Sequence, residues 1–203
     1  MAENRFLLER KSLSRDSAEV ISRYAFVSRD CLCTSGPRLF CQGTPSMNGM
    51  PLPDPWQGGY MIGGIVREGE NIIEVRGAEG NAPVYLSGEF GVWLTEEGWV
   101  VDKAQALELG LLSEQGFPFY SGTVVYRQSY DVSSGGGKHI LRVPKWAGSS
   151  CEVLVNGVSV AAYARHSFKL DIGPYLTPGP NDLELCISGS DGAFGLLKAF
   201  TLK

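Results

Sequence analysis

The chain has 203 residues, with 18 Lys and Arg against 22 Asp and Glu, a formal net charge of −4, and 43% hydrophobic residues. This is the make-up of a folded globular protein, long enough for one large domain or two small ones. An acidic balance with no basic stripe excludes nucleic acid as the main partner, and no apolar run approaches the roughly 20 residues that cross a bilayer.

From the N-terminus, residues 1–15 alternate Arg, Glu and Lys with short apolar pairs. They lack the apolar core and small-residue cleavage pattern of a secretory signal, and with an odd cysteine count this points to the cytoplasm. Helix-period patterning is confined to residues 17–22 and 103–109, both too short to build a helical layer. Between 32 and 41 the chain is broken by Gly and Pro into short segments. Asn48-Gly49 is a hairpin signal, and Pro51 to Tyr60 is a Pro/Gly-rich loop carrying Trp56 and Tyr60. Residues 66–75 contain a Gly69-Glu70-Asn71 turn leading into an alternating strand. Glu96-Glu97-Gly98 reads as a turn between Trp93 and Trp99.

In the second half, residues 123–132 are rich in β-branched and aromatic residues, as a half-buried strand should be. Gly135-Gly136-Gly137 turns the chain into residues 139–143. Residues 151–155 run into Asn156-Gly157, and 158–160 return. Residues 168–172 and 182–187 alternate with period two. Short strands about ten residues apart, joined by turn chemistry, predict an all-β sandwich or barrel.

The organisation repeats. Asn48-Gly49 and Asn156-Gly157 lie 108 positions apart, and the turns beginning at Gly69 and Gly179 lie 110 apart. A period of that size means duplication of a whole domain. The expected architecture is therefore two tandem antiparallel β-sandwich units of jelly-roll type, residues 1–88 as a poorer copy and 89–203 as a better one, joined through residues 94–112.

Five cysteines, Cys31, Cys33, Cys41, Cys151 and Cys186, and two histidines, His139 and His166, lack the spacing of a zinc site. Thiols buried in a reducing compartment are the expected reading. No Asp-x-Asp loop marks a structural Ca²⁺, so no cofactor is expected. Glu89, Glu96, Glu97, Asp102 and Glu114 could supply the carboxyl pair of a glycosidase, but they read as solvated loop and strand residues. Neither histidine, beside Lys138 or Arg165, has a nucleophile motif near it, and the 134–137 glycine run lacks the Lys-Ser/Thr and helix of a phosphate loop.

Residues 153–157 with 176–185 resemble the sugar-binding sandwich domains of family 2 glycoside hydrolases and related galactose-binding-like jelly rolls. Residues 83–92 and the Gly116-Phe117-Pro118-Phe119-Tyr120-Ser121-Gly122 run resemble the non-catalytic C-terminal region of large bacterial rhamnosidase-like glycosidases. The resemblance extends from about Arg23 to Gly195. It implies a non-catalytic module beside a separate catalytic domain, with a glycan or that domain as partner and no membrane. Its sugar contacts would be aromatic: Trp56, Tyr60, Trp93, Trp99 and Tyr120, stacking on sugar C–H faces. The competing reading gives these rings to core or inter-domain packing, as expected for Phe119, Tyr126 and Tyr130. The chain is then a structural or protein-interaction module with no sugar affinity.

Overall fold

A computed structural model describes residues 4–203 except 17–18, 31, 33–35, 78–81, 134–136 and 165, with the backbone alone at 15, 16 and 19. The readings of Cys31, Cys33, Arg165 and the Gly135-Gly136 turn lie outside the described residues. The described residues are all-β, with two short 3₁₀ turns and no α-helix. The chain forms two compact units, Met1–Ala106 and Leu107–Lys203.

The first unit runs β1 (Asn4–Leu7), β2 (Arg10–Asp16), β3 (Glu19–Ser28), β4 (Arg38–Phe40), β5 (Thr44–Met47), β6 (Met50–Pro51), β7 (Tyr60–Met61), β8 (Gly69–Arg76), β9 (Tyr85–Gly88), β10 (Phe90–Thr95) and β11 (Gly98–Lys103). One sheet has the order β1-β9-β4-β7. The other has the order β10-β11-β3-β8-β5-β6, with β2 also paired to β3. The second unit runs β12 (Gly122–Val132), β13 (Ile140–Val143), β14 (Trp146–Ala147), β15 (Ser150–Val155), β16 (Val158–Tyr163), β17 (Phe168–Asp171), β18 (Gly179–Gly189), β19 (Gly195–Leu196) and β20 (Thr201–Leu202). Its sheets are β12-β18-β15-β16 and β17-β13-β20, with a small β14-β19 pair.

Alternation explains which face each strand buries. On β8, Asn71, Ile73 and Val75 are buried while their neighbours face out; on β18, Asn181, Leu183, Leu185 and Ile187 are buried. A strand of period two must turn every second side chain to one face, so these positions build the two cores. The first core includes Phe26, Leu39, Met47, Ile73, Leu86 and Phe90. In the second unit the large buried rings are Phe117, Trp146, Phe168, Phe194 and Phe200. Phe119, expected in a core, is exposed, and Tyr126 and Tyr130 are half-buried. Tyr126 lies on the 122–132 strand, and its hydroxyl accepts from the Leu196 N–H at 3.0 Å, so its tip serves the backbone rather than the core.

Two local expectations need correction. Residues 19–22, patterned as helix, open the strand Glu19–Ser28, where Ile21–Ser28 pairs residue for residue with β8. Cross-strand pairing outweighs a single turn of helix period, which has no packing partner of its own. The junction also falls at 106/107, not 88/89. The hairpin β10–β11 belongs to the first unit: Val100 and Val101 pair in parallel with Val27 and Ser28 of β3. Phe90, Val92 and Val101 bury their side chains in the first core.

Part of the pairing order recurs in both units. The series β3-β8-β5-β6 has its counterpart in β12-β18-β15-β16, and β9-β4-β7 in β20-β13-β17. The central positions of the short sheets correspond: Leu39 pairs with Leu86 and Tyr60, and Leu141 with Leu202 and Leu170.

Each unit also contains the same side-chain latch. Asn48 and Gly49 have φ of 52° and 81°, and Asn156 and Gly157 have 51° and 78°. These left-handed values are what a two-residue hairpin turn requires. From the turn, the Asn48 amide donates to Asn71 Oδ1 at 3.0 Å, and Asn156 donates to Asn181 Oδ1 at 2.9 Å. Asn48 Oδ1 accepts from Ile72 N, and Asn156 Oδ1 from Asp182 N, both at 3.0 Å. The buried Asn71 amide donates to the carbonyls of Arg67 and Gly69, while Asn181 donates to those of Thr177 and Gly179. Both are fully buried, and both satisfy the donors and the acceptor of the amide, which is what a buried polar group needs.

Candidate functional site

The outward face of the first unit's short sheet carries a row of apolar and aromatic side chains. Inward residues Phe6, Leu86 and Leu39 form one cross-strand row. On the opposite face Leu7 stands beside Tyr85, and Tyr85 beside Phe40. The Phe40 and Tyr85 rings stack at 4.9 Å with planes 4° apart. The Arg5 guanidinium lies 5.0 Å from the Tyr85 ring centre, and the Arg38 guanidinium 5.4 Å from that of Phe40. Cation over ring face is an attractive placement, and it fixes both the rings and the charges.

A turn sits against the end of this row. Trp56 and Gly59 exchange backbone hydrogen bonds of 2.8 and 3.1 Å, with Gln57 and Gly58 at positive φ between them. Gly59 is required there, because a Cβ would come within 2.8 Å of the Phe40 ring. The closed turn presents Trp56 with its side chain 59% exposed, and Met61 beyond it is exposed as well.

The five aromatic residues expected to contact sugar do not form one site. Trp56 is presented to solvent. Tyr60 follows it but faces inward, against the first core, and its hydroxyl donates to the Gly43 carbonyl at 3.2 Å. Burial, with Cys41 and Asp54 close by, pushes the Tyr60 hydroxyl above its ordinary pKa. Trp93 is half-buried and lies over Gly91, where a Cβ would meet the indole. Trp99 packs on the first core, 6.4 Å from the Phe6 ring. Tyr120 belongs to the second unit, edge-on to Phe117, stacked on Phe194 and donating to the Thr123 carbonyl. Sequence reasoning missed Phe40, Tyr85, Arg5 and Arg38. Alternation along Asn4–Leu7 and Arg38–Phe40 signals that these side chains share a face, but only the pairing of β1, β9 and β4 brings them together.

The other chemical candidates are dispersed. Glu96 and Glu97 lie in the tight turn expected of them, where Glu97 N donates to Thr95 Oγ1. His166 is held through Nδ1 by the Trp146 carbonyl at 3.2 Å, and Asp171 is occupied by the backbone N–H groups of His139 and Gly173. Among the described residues, no three His, Cys, Asp or Glu side chains converge as metal ligands. Burial pushes the Cys41 thiol up to about 11 and the Cys151 thiol up to about 12, and raises Cys186 more mildly. Thiols so protonated are not nucleophiles at neutral pH.

No protein-family model and no curated protein sequence matches the chain. Among solved structures it is similar to a rhamnosidase from Novosphingobium sp. PP1Y, at 14% identity and a TM-score of 0.42, covering 98% of this chain and 24% of that one. It is similar to an α-L-rhamnosidase from Streptomyces avermitilis complexed with L-rhamnose, at 12% and 0.34, covering 97% and 25%. A Pleurotus ostreatus lectin complexed with GalNAc also aligns, at 11% and 0.31, covering 97% and 76%. The chain spans about a quarter of the length of the two rhamnosidases.

Proposed function

We propose that the chain is a non-catalytic, carbohydrate-associated module of a glycoside-hydrolase-like protein, binding a glycan weakly or packing against a catalytic domain. The observation that carries this reading is Trp56, more than half exposed on a turn closed by its own backbone hydrogen bonds, whose Gly59 abuts the Phe40 ring. A ring offered on a preorganised turn can cover the C–H face of a pyranose with little ordering cost. Polar side chains of the same unit, Gln57 in the turn and Arg5 and Arg38 on the sheet face, suit hydroxyl recognition. The sequence resemblance to glycosidase-flanking sandwiches agrees with this chemistry. On the same reading the two units are duplicates of one sandwich, which the recurring part of the strand order and the repeated Asn latch support.

Titration of the protein with neutral oligosaccharides, followed by tryptophan fluorescence, tests the proposal. A saturable change in the native protein that is absent in Trp56→Ala, with the variant still folded by circular dichroism, is the expected result. No response to any sugar, with Trp56 still quenched freely by iodide, would leave a structural or protein-interaction module as the better account.

A further inference from the structure

Three strands of the first unit's short sheet, β9-β4-β7, correspond to β20-β13-β17 of the second, yet their outward faces differ in chemistry. Counting one residue past the matched centres Leu39 and Leu141, the first unit places Phe40 between Tyr85 and Gly59. The second unit places Arg142 between Thr201 and Lys169. An aromatic row in one copy is a cationic row in the other.

Like charges directly opposite on neighbouring strands repel and destabilise the pair. Arg142 and Lys169 are paired in register, both exposed, and neither has an ion-pair partner among the described residues. Charge is segregated around them. Segments 138–145, 166–171 and 195–203 carry Lys138, Arg142, Lys145, Lys169, Lys198 and Lys203 against the single carboxylate Asp171, in a chain whose acids outnumber its bases 22 to 18. Asp171 already accepts two backbone hydrogen bonds. The row is also concave. Arg142 and Lys169 line a cleft of about 280 Å³ with the hydroxyl residues Ser167 and Thr201 and an apolar lining that includes Pro144 and Phe168. That volume suits one monosaccharide residue, because ligand pockets for larger molecules begin at about 300 Å³.

We propose that this cleft is a subsite for an anionic sugar residue of an acidic oligosaccharide. Arg142 would grip the anionic oxygens of a uronate carboxylate or sulfate ester with its planar fork, and Lys169 would add a point charge from the next strand. The hydroxyls of Ser167 and Thr201 are placed for ring hydroxyls, and Pro144 and the exposed Ala199 for the apolar face. The proposal rests on the carbohydrate-module reading and adds to the Trp56 site a separate subsite on the second unit, for an acidic sugar residue.

Calorimetric titration of the whole chain in low salt tests it with four probes: an oligogalacturonate, a sulfated oligosaccharide of equal length, a neutral oligosaccharide, and oligo-glutamate. The expected result is binding of one or both acidic saccharides that weakens at least tenfold in Arg142→Gln and in Lys169→Gln, weakens with added salt, and survives in Trp56→Ala. The carboxylated and sulfated probes tell which anion is preferred. Both variants replace exposed side chains that repel one another, so their melting temperatures should not fall, which separates lost binding from lost fold. Acidic saccharides that do not bind, or that bind the variants unchanged, overturn the proposal. Neutral saccharide bound in place of the acidic ones overturns it but upholds the carbohydrate module. Oligo-glutamate bound as tightly as the saccharides shows a generic anion face and overturns the sugar assignment.

Discussion

Replacing Asn181 with alanine empties the latch of the second unit while leaving every hydrophobic contact of β18 in place. The lost groups are an acceptor for Thr177 N at 2.9 Å and Asn156 Nδ2 at 2.9 Å, and donors to the carbonyls of Thr177 at 2.7 Å and Gly179 at 2.8 Å. Asn181 is 1% exposed, so water cannot replace what the side chain supplied. Four hydrogen bonds at a net of about 1 kcal/mol each give a destabilisation of about 4 kcal/mol. Domains of this size are stable by only about 5–15 kcal/mol, so the loss is a large fraction of the whole. With a urea slope of about 2 kcal/mol/M the midpoint should fall by about 2 M at unchanged slope. Asn156→Gly keeps the left-handed turn but loses two of the latch bonds, and should cost about half as much. Asn181→Asp keeps the shape and the acceptors but turns an oxygen toward two carbonyls. It can donate only when protonated, so its carboxyl pKa must rise above the usual value of about 4, and the variant should be more stable, relative to wild type, at pH 4 than at pH 7. A midpoint shift under about 0.5 M for Asn181→Ala would refute the reasoning and make the repeated asparagine a relic without structural weight.

Three further outcomes follow from the same geometry. Trp56→Ala should change stability by less than about 0.5 kcal/mol, whereas Trp99→Ala should cost about 3 kcal/mol because it empties space beside Phe6; comparative urea denaturation checks both. Gly195→Ala should cost about 3 kcal/mol, since its φ is +152° and a Cβ would lie 2.1 Å from the Gly110 carbonyl oxygen; an unchanged melting temperature would show that the 107–112 segment is not held there. The Cys41 thiol stands at about 11 in the fold against 9.0 when open to water, so between those values the unfolded chain releases a proton that the folded one keeps. Stability should be unaffected by this group below pH 9 and fall as pH rises toward 11, and Cys41→Ala should show a shallower fall when denaturation is compared at pH 8 and pH 10.5.

Much of the architecture follows from local chemistry. Asn-Gly demands left-handed backbone, Gly-x-Asn closes a tight connection, and period-two strands must bury one face; those rules hold residue by residue and so can be read in Asn48-Gly49, Gly69–Asn71 and their counterparts at 156 and 179. The Pro/Gly-rich stretch 51–60 was legible as a loop, but not which of its two rings would face solvent. What stayed hidden depends on which strands become neighbours. Tyr60 and Trp99 were as eligible for solvent as Trp56 by sequence, and only the packing of the first core takes them inward. The hairpin 90–103 carries no mark of its owner; its parallel pairing with Glu19–Ser28 assigns it to the first unit. Arg5, Arg38, Phe40 and Tyr85 are scattered over 80 positions and carry no motif, as are Arg142, Lys169 and Thr201 over 59. A sheet brings such residues abreast through backbone hydrogen bonds that are blind to side-chain identity, so the chemistry of a sheet face is written by register, and register is decided in three dimensions.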